Sequence, residues 1–285
     1  MNLKNECLPC IMKQAYNTAK RASENDDEIR EILNKTADYV KTLKSEMTPA
    51  DASNFAYEIT KKITCNDDPY KYEKKKFNDI CMKYLPIIEK KIDETDDSLY
   101  YSVILSIFGN IIDLGIGMKF DFEKEINNVF ETKLTLDDYD NFKKDLKIKN
   151  KKILFLGDNA GEMVFDIPLI KKLKENNDVV YVVKSGPIIN DSTMEDAKYT
   201  GLEKIVKVIE TGSDGIGVRW DSVSEEFLKY YKEAEIIISK GQGNFETMNK
   251  KKGNIYFLLR IKCDSVGEEL GVKFGDIVFK NQRNI

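Results

Sequence analysis

The apolar residues of this chain change period near residue 150, and that change restricts the folds open to it. Up to about residue 148 they recur every three or four positions: Ile29, Ile32, Leu33, Ala37, Val40, then Phe55, Ile59, Ile63, then Phe77, Ile80, Cys81, Tyr84, Leu85, Ile88. Such spacing lays an apolar stripe along one side of a helix. Thr48-Pro49-Ala50-Asp51 reads as an N-cap, a proline at the first helical position and an acidic first turn. Asp68-Pro69 predicts a second helix start. Leu99 to Ile112 is apolar nearly all round, which predicts the central helix of a bundle. No strand is expected before residue 148.

Beyond Lys152 the apolar residues come in short β-branched runs: Ile153–Leu156, Val179–Val183, Ile205–Ile209, Ile236–Ile238, Ile255–Leu259 and Ile277–Phe279. Helix-length segments separate them. Continuous runs of this kind belong to strands buried on both faces. The expected fold class is α/β: an all-helical domain at 1–148, then a doubly wound, mainly parallel sheet domain at 149–285 with helices on both faces. Lys143 to Lys152 reads as a solvated linker or helix end.

Composition excludes much. The chain has 45 basic and 49 acidic side chains, a net charge of −4, which lacks the basic footprint of a nucleic-acid binder. No apolar stretch is long enough to span a bilayer, and the first residues lack an apolar signal region, so a cytoplasmic protein with no membrane partner is expected. The chain has no histidine. Chemistry based on a Ser-His-Asp triad, a Cys-His pair or an imidazole base is therefore closed to it. Carboxylates, Lys, Cys, Ser/Thr or a metal held by oxygen or sulfur remain.

In open α/β sheets, ligands bind beyond the carboxyl ends of the strands. The segments that follow five of these runs are all polar, and most are glycine-rich: Gly157–Glu162, Lys184–Thr193, Thr211–Gly215, Lys240–Glu246 and Arg260–Lys262. Asp158, Asn159 and Asp191 are hard oxygen donors suited to Mg²⁺ or Mn²⁺; an isolated Asp-Asn also makes a turn or an N-cap. Gly157 and Gly161 permit close backbone approach at a helix start, where phosphate binds well. Lys240, Arg260 and Lys262 are cations able to hold a phosphate, although surface lysines abound here. Glu162 either complements the helix dipole or orients a group in the metal shell. Cys7 and Cys10, three apart, are half of a zinc site, a redox pair or packing; Cys65 and Cys81 are the candidates to complete a structural Zn²⁺ site.

Taken together and in order, Cys7-x-x-Cys10, Asp68-Pro69-Tyr70, Gly157-Asp-Asn-Ala-Gly-Glu162, Asn190-Asp-Ser-Thr193 with Glu195-Asp196-Ala197, Ser213-Asp214 with Gly217, and Lys240-Gly-Gln-Gly-Asn-Phe-Glu246 resemble the metal-dependent damage-control phosphatases. That family is also catalogued as domain of unknown function 89, and the likeness is to its short prokaryotic branch with an N-terminal Cys-x-x-Cys. The resemblance implies a divalent metal (Mn²⁺, Co²⁺, Ni²⁺ or Mg²⁺) on Asp158, Asn159 and Asp191. It implies small phosphorylated metabolites, sugar phosphates among them, as substrates. It matches the family's late lysine motif only in part, at Arg260-Ile-Lys262.

On this reading Asp158, Glu162 and Lys262 are the catalytic candidates. Gly157, Asp214, Lys240, Asn244 and Arg260 are the candidates for binding substrate phosphate. A metal-activated water is preferred as nucleophile over Asp158, because position 160 is alanine where a phospho-aspartate site of the haloacid-dehalogenase kind has a second aspartate. Asn66, Asp67 and Asp68 are candidates to face the cleft from the helical side. Two rivals remain. One is an S-adenosylmethionine-dependent carboxyl methyltransferase, which lacks its usual Gly-x-Gly-x-Gly turn here. The other is a non-enzymatic metal or redox module built on Cys7 and Cys10.

Overall fold

A computed structural model describes residues 1–109, 127 and 129–284. The first three helices are α1 (Cys7–Ala22), α2 (Asp26–Val40) and α3 (Pro49–Thr64). Thr48 caps α3 as the sequence predicts, its Oγ1 accepting from the Asp51 amide at 3.1 Å. Ala15, Ala19, Ile29, Ile32 and Ala56 form the small core shared by these helices. Next come α4 (Lys71–Asp93) and α5 (Ser98–Phe108). Residues 110–112, the end of the predicted apolar helix, lie outside the described residues.

The rest is a seven-stranded sheet: β1 (Leu136–Asp137), β2 (Lys152–Leu156), β3 (Asp178–Val183), β4 (Lys207–Glu210), β5 (Ile236–Lys240), β6 (Ile255–Arg260) and β7 (Ile277–Asn281). Their order across the sheet is β1-β7-β6-β5-β2-β3-β4. All pairs are parallel except β6 with β7. Alternate residues face opposite layers. Ile153, Phe155, Tyr181 and Ile238 join one core with α5, while Leu154, Leu156, Val180 and Ile237 join another with Phe227, Phe245 and Val266. Those three lie on α10 (Glu225–Glu233), α11 (Gln242–Met248) and α12 (Asp264–Leu270), numbered after α6 (Tyr139–Leu146), α7 (Glu162–Phe165), α8 (Ile167–Lys174) and α9 (Met194–Thr200).

Two expectations change. β1 is a strand before residue 148, paired through Leu136 and Asp137 with Val278 and Phe279; two residues are too few to show a period. α5 does not centre a helical bundle. Val103, Ile104, Leu105, Ile107 and Phe108 are buried in the same core as the sheet residues Ile153, Phe155 and Leu258. It is apolar all round because neighbours cover every side. The sheet layer therefore recruits α4, α5, β1 and α6 from sequence before residue 149. Among the described residues no helix is long and apolar enough to cross a membrane.

Candidate active site at the strand ends

The chain runs outward from β2 through β3 to β4, then returns to place β5 on the other side of β2. Such a reversal opens a crevice at the carboxyl ends of the two strands that flank it. Here these ends are Gly157-Asp158-Asn159 after β2 and Gly241 after β5.

The loops after β2 and β3 are zipped together by backbone. The Ser192 amide donates to the Asp158 carbonyl at 2.8 Å, the Ala160 amide donates to the Asn190 carbonyl at 2.8 Å, and Asn159 and Asp191 form an antiparallel bridge. This pairing, and not sequence proximity, brings Asp158, Asn159 and Asp191 to one place. Two glycines make room for it. A Cβ on Gly241, whose φ is +79°, would lie 1.9 Å from Asp158 Oδ2. One on Gly157 would lie 2.4 Å from the Tyr181 hydroxyl.

Glu162 opens α7 and is buried. Its Oε1 accepts from Asn159 Nδ2 at 2.6 Å, which turns the amide so that its oxygen is the end available as a hard donor. Its Oε2 is buried without a hydrogen-bond partner and lies 3.5 Å from Lys240 Nζ. Burial raises the Glu162 carboxyl to about 8, against the opposing charges of Lys240 and Lys262.

Lys240 is 0% exposed. Its ammonium donates to Asp166 Oδ1 at 2.7 Å. Asp166, also 0% exposed, accepts from Ser106 Oγ at 2.6 Å and from the Tyr181 hydroxyl at 2.8 Å. Burial pulls the Lys240 ammonium down, yet Asp166 and Glu162 outweigh it and its net shift is upward. Two strands away from β5, Lys184 follows the end of β3, 3.6 Å from Asp191 Oδ2, with its Nζ also donating to the Gly217 carbonyl. Burial pushes Asp191 up to about 7 against the pull of Lys184, and pulls Lys184 down.

The other predicted residues fall in several places. Lys262 is exposed, its amide held by Gln242 Oε1 at 3.1 Å. It lines a cavity of about 630 Å³ with Cys7, Cys10, Gln14, Tyr57, Gln242 and Glu246 among the other walls. Asn244 is buried and directs Nδ2 to the Gly157 and Lys240 carbonyls at 2.9 and 2.8 Å, so it ties β2 to β5. Asp214 is exposed and pairs with Lys61 of α3 at 3.0 Å. Arg260 ends β6 opposite Ile277, outside the walls of that cavity.

Three of the five amides at Gly157–Gly161 are already engaged within the protein. The Gly157, Ala160 and Gly161 amides donate to Val182 O, Asn190 O and Asn78 Oδ1. From the helical side, Asp68 faces Lys74 at 2.8 Å.

Among the described residues no three His, Cys, Asp or Glu side chains gather closely enough to hold a metal. Cys65, exposed at the end of α3, and Cys81, buried on α4, therefore do not complete a zinc site with Cys7 and Cys10. The Asp158–Asn159–Asp191 set has two carboxylates and an amide, so it lies outside that count.

Sequence reasoning missed Lys184, Asp166 and Asn78. Lys184 follows an apolar strand as Lys240 ends one, and that signal was legible. Asp166 and Asn78 sit inside helical patterns and show their roles only through their partners.

A seven-stranded α/β sheet with a carboxylate-rich site at its reversal point defines a protein of the open α/β class, with its site where such folds bind ligands. The comparisons narrow this. A sequence model described as the damage-control phosphatase ARMT1-like domain matches residues 3–278. A damage-control phosphatase of Pyrococcus horikoshii is 38% identical over 98% of this chain and 97% of its own. One of Archaeoglobus fulgidus is 29% identical over 98% of this chain and 99% of its own. The crystal structure of a domain of unknown function 89 family protein from P. horikoshii superposes with a TM-score of 0.92 at 36% identity, covering 99% of both chains. The chain belongs to the damage-control phosphatase family. Its activity class is that of a phosphatase.

Proposed function

We propose that this phosphatase depends on a divalent metal, with Mn²⁺, Co²⁺, Ni²⁺ or Mg²⁺ as candidates, and hydrolyses small phosphorylated metabolites such as sugar phosphates. The observation that carries the reading is the zipping of two loops that brings Asp158, Asn159 and Asp191 together where the strand order reverses. The residues present fit a hard cation. Asp158 and Asp191 supply carboxylate oxygens and Asn159 an amide oxygen, and the buried ammonium groups nearby are already engaged, Lys240 with Asp166 at 2.7 Å and Glu162 at 3.5 Å, and Lys184 with Asp191 at 3.6 Å. Oxygen donors of this kind suit Mg²⁺ and Mn²⁺.

When bound, such a cation supplies positive charge beside the phosphoryl oxygens and acidifies a water. The chain's own residues do the rest. Asp158 and Asp191 serve as ligands, and Glu162 fixes the Asn159 amide. Lys262, exposed at the cavity wall, meets charge developing on the transferring group. Lys240 acts from below as a buried counter-charge. The cavity of about 630 Å³, walled by Lys262, Gln242 and Ile189 but not by Asp158, Asn159 or Asp191, is the candidate space for the organic part of the ester.

The test is phosphate release from a panel of sugar phosphates and an aryl phosphate, with each metal, with chelator, and with Asp158→Ala. Metal-dependent turnover that disappears in the variant is expected. Turnover unaffected by chelator would overturn the metal reading. Turnover retained in Asp158→Ala would overturn the assignment of the site.

A further inference from the structure

We infer that Asn78, on a helix outside the sheet, is the positioning residue that holds the two ligand-bearing loops at a fixed separation. The inference rests on the reading of Asp158, Asn159 and Asp191 as metal ligands.

Asn78 is 1% exposed and sits on α4. Its Oδ1 accepts from the Gly161 amide at 2.7 Å, and its Nδ2 donates to Asp196 Oδ1 at 2.9 Å. One planar amide thus bridges the exits of both loops. Gly161 lies two residues beyond Asn159 and immediately before Glu162. Asp196 holds the other exit. Its Oδ2 accepts from the Thr193 amide at 3.0 Å and from Thr193 Oγ1 at 2.8 Å, two residues beyond Asp191.

The close approach of α4 is built into the sequence. A Cβ on Gly161, at φ +78°, would lie 2.3 Å from Phe77 Cδ1. One helical turn before Asn78, buried Lys74 reaches Asp68 Oδ2 at 2.8 Å and Asp196 Oδ2 at 3.7 Å. Lys74 and Asn78 are four residues apart and share one face of α4.

The chemistry requires an amide. The position must accept from a backbone N–H and donate to a carboxylate at once, and a side-chain amide does both without changing charge. An aspartate there keeps the acceptor but faces Asp196 with a like charge. The backbone zip fixes the loops at Asp158 and Ser192; Asn78 fixes them where they turn into α7 and α9. Groups that hydrogen-bond a metal ligand commonly set metal affinity by about 10–100-fold; Asn78 acts one bond further out, through Gly161 and Asp196, so the low end of that range is expected.

The experiment uses the full chain as wild type, Asn78→Ala, Asn78→Asp and Asp145→Asn. The last variant weakens a helix–sheet contact elsewhere, where Asp145 Oδ2 accepts from Asn254 Nδ2 at 2.6 Å and from the Tyr256 hydroxyl at 2.8 Å. Two readouts are taken. Amide hydrogen exchange is measured in chelator, and Mn²⁺ binding is followed by water proton relaxation.

The expected result in both Asn78 variants is about tenfold faster exchange confined to segments 157–163 and 190–197, with an Mn²⁺ dissociation constant raised about tenfold. Asp145→Asn should change neither. Wild-type loop exchange in a folded Asn78 variant overturns the inference, as does faster exchange spread evenly through the chain. Wild-type Mn²⁺ affinity in both variants overturns it too. If the wild type binds no divalent metal, the metal reading fails separately and the exchange pattern alone decides the role of Asn78.

Discussion

Replacing Lys240 with methionine removes the charge beneath the candidate site while keeping an unbranched side chain of similar length. Lys240 is 0% exposed, 2.7 Å from Asp166 and 3.5 Å from Glu162. Breaking a buried pair by deleting one partner costs about 3–5 kcal/mol, because the other charge is left buried alone. The structure argues for the lower end. Glu162 sits near 8, so at pH 7 it is already mostly protonated and leaves no second orphaned charge. Asp166 keeps the hydroxyls of Ser106 and Tyr181.

The expected loss is therefore about 3 kcal/mol, or roughly 6 °C or more in Tm for a chain of this size. Urea unfolding in chelator measures it. The double variant Lys240→Met with Asp166→Asn should be less destabilised than the sum of its parts, since the orphaned charge is gone. A Lys240→Met protein as stable as wild type, with only KM raised, refutes the reasoning. That outcome would mean the ammonium reaches the substrate phosphate after all.

Lys262→Met should behave oppositely, because Lys262 is exposed: stability within about 0.5 kcal/mol of wild type, and kcat in a phosphate-release assay lower by about 10²-fold. Gly241→Ala forces a Cβ to within 1.9 Å of Asp158 Oδ2 at a φ of +79°. It should cost about 1–2 kcal/mol by urea unfolding and about 10²-fold in turnover through the displaced carboxylate; an active variant would show that Asp158 is not held there. Burial raises Glu246 to about 7 from its ordinary 4.5. The folded protein then binds the extra proton between those values, so this group's contribution is full below pH 4.5 and is lost as pH rises through 7. Glu246→Gln should remove that slope, leaving the variant ahead by up to about 3 kcal/mol above pH 7; parallel stability–pH curves for the two proteins would contradict the assignment.

The β-branched runs made six of the seven strands legible, since a strand buried on both faces has to be apolar throughout. The same logic located the strand ends, and with them Asp158, Asn159 and Asp191. It failed for β1, whose two residues carry no period, and for the placement of α5. An all-apolar helix announces burial but does not say against what. Lys240 was found for its position, but its surroundings were not legible. At a strand end it reads as a phosphate ligand; only the tertiary structure shows that it is fully buried and bonded to the Asp166 carboxylate.

By itself the sequence determined the α/β class, the position of the Asp158–Asn159 pair at a strand end, and the absence of imidazole chemistry. These follow from local periodicity, strand termination and composition. Tertiary structure decided which loops meet, because the reversal of strand order sets β5 against β2 and the backbone zip sets Asp191 against Asn159. It also decided which charges are buried, hence which lysines are counter-ions and which face the cavity. And it carried Asn78 from a helix more than eighty residues earlier to the Gly161 amide. Hydrogen bonds of that reach depend on packing between elements, and packing leaves no short-range mark in the order of residues.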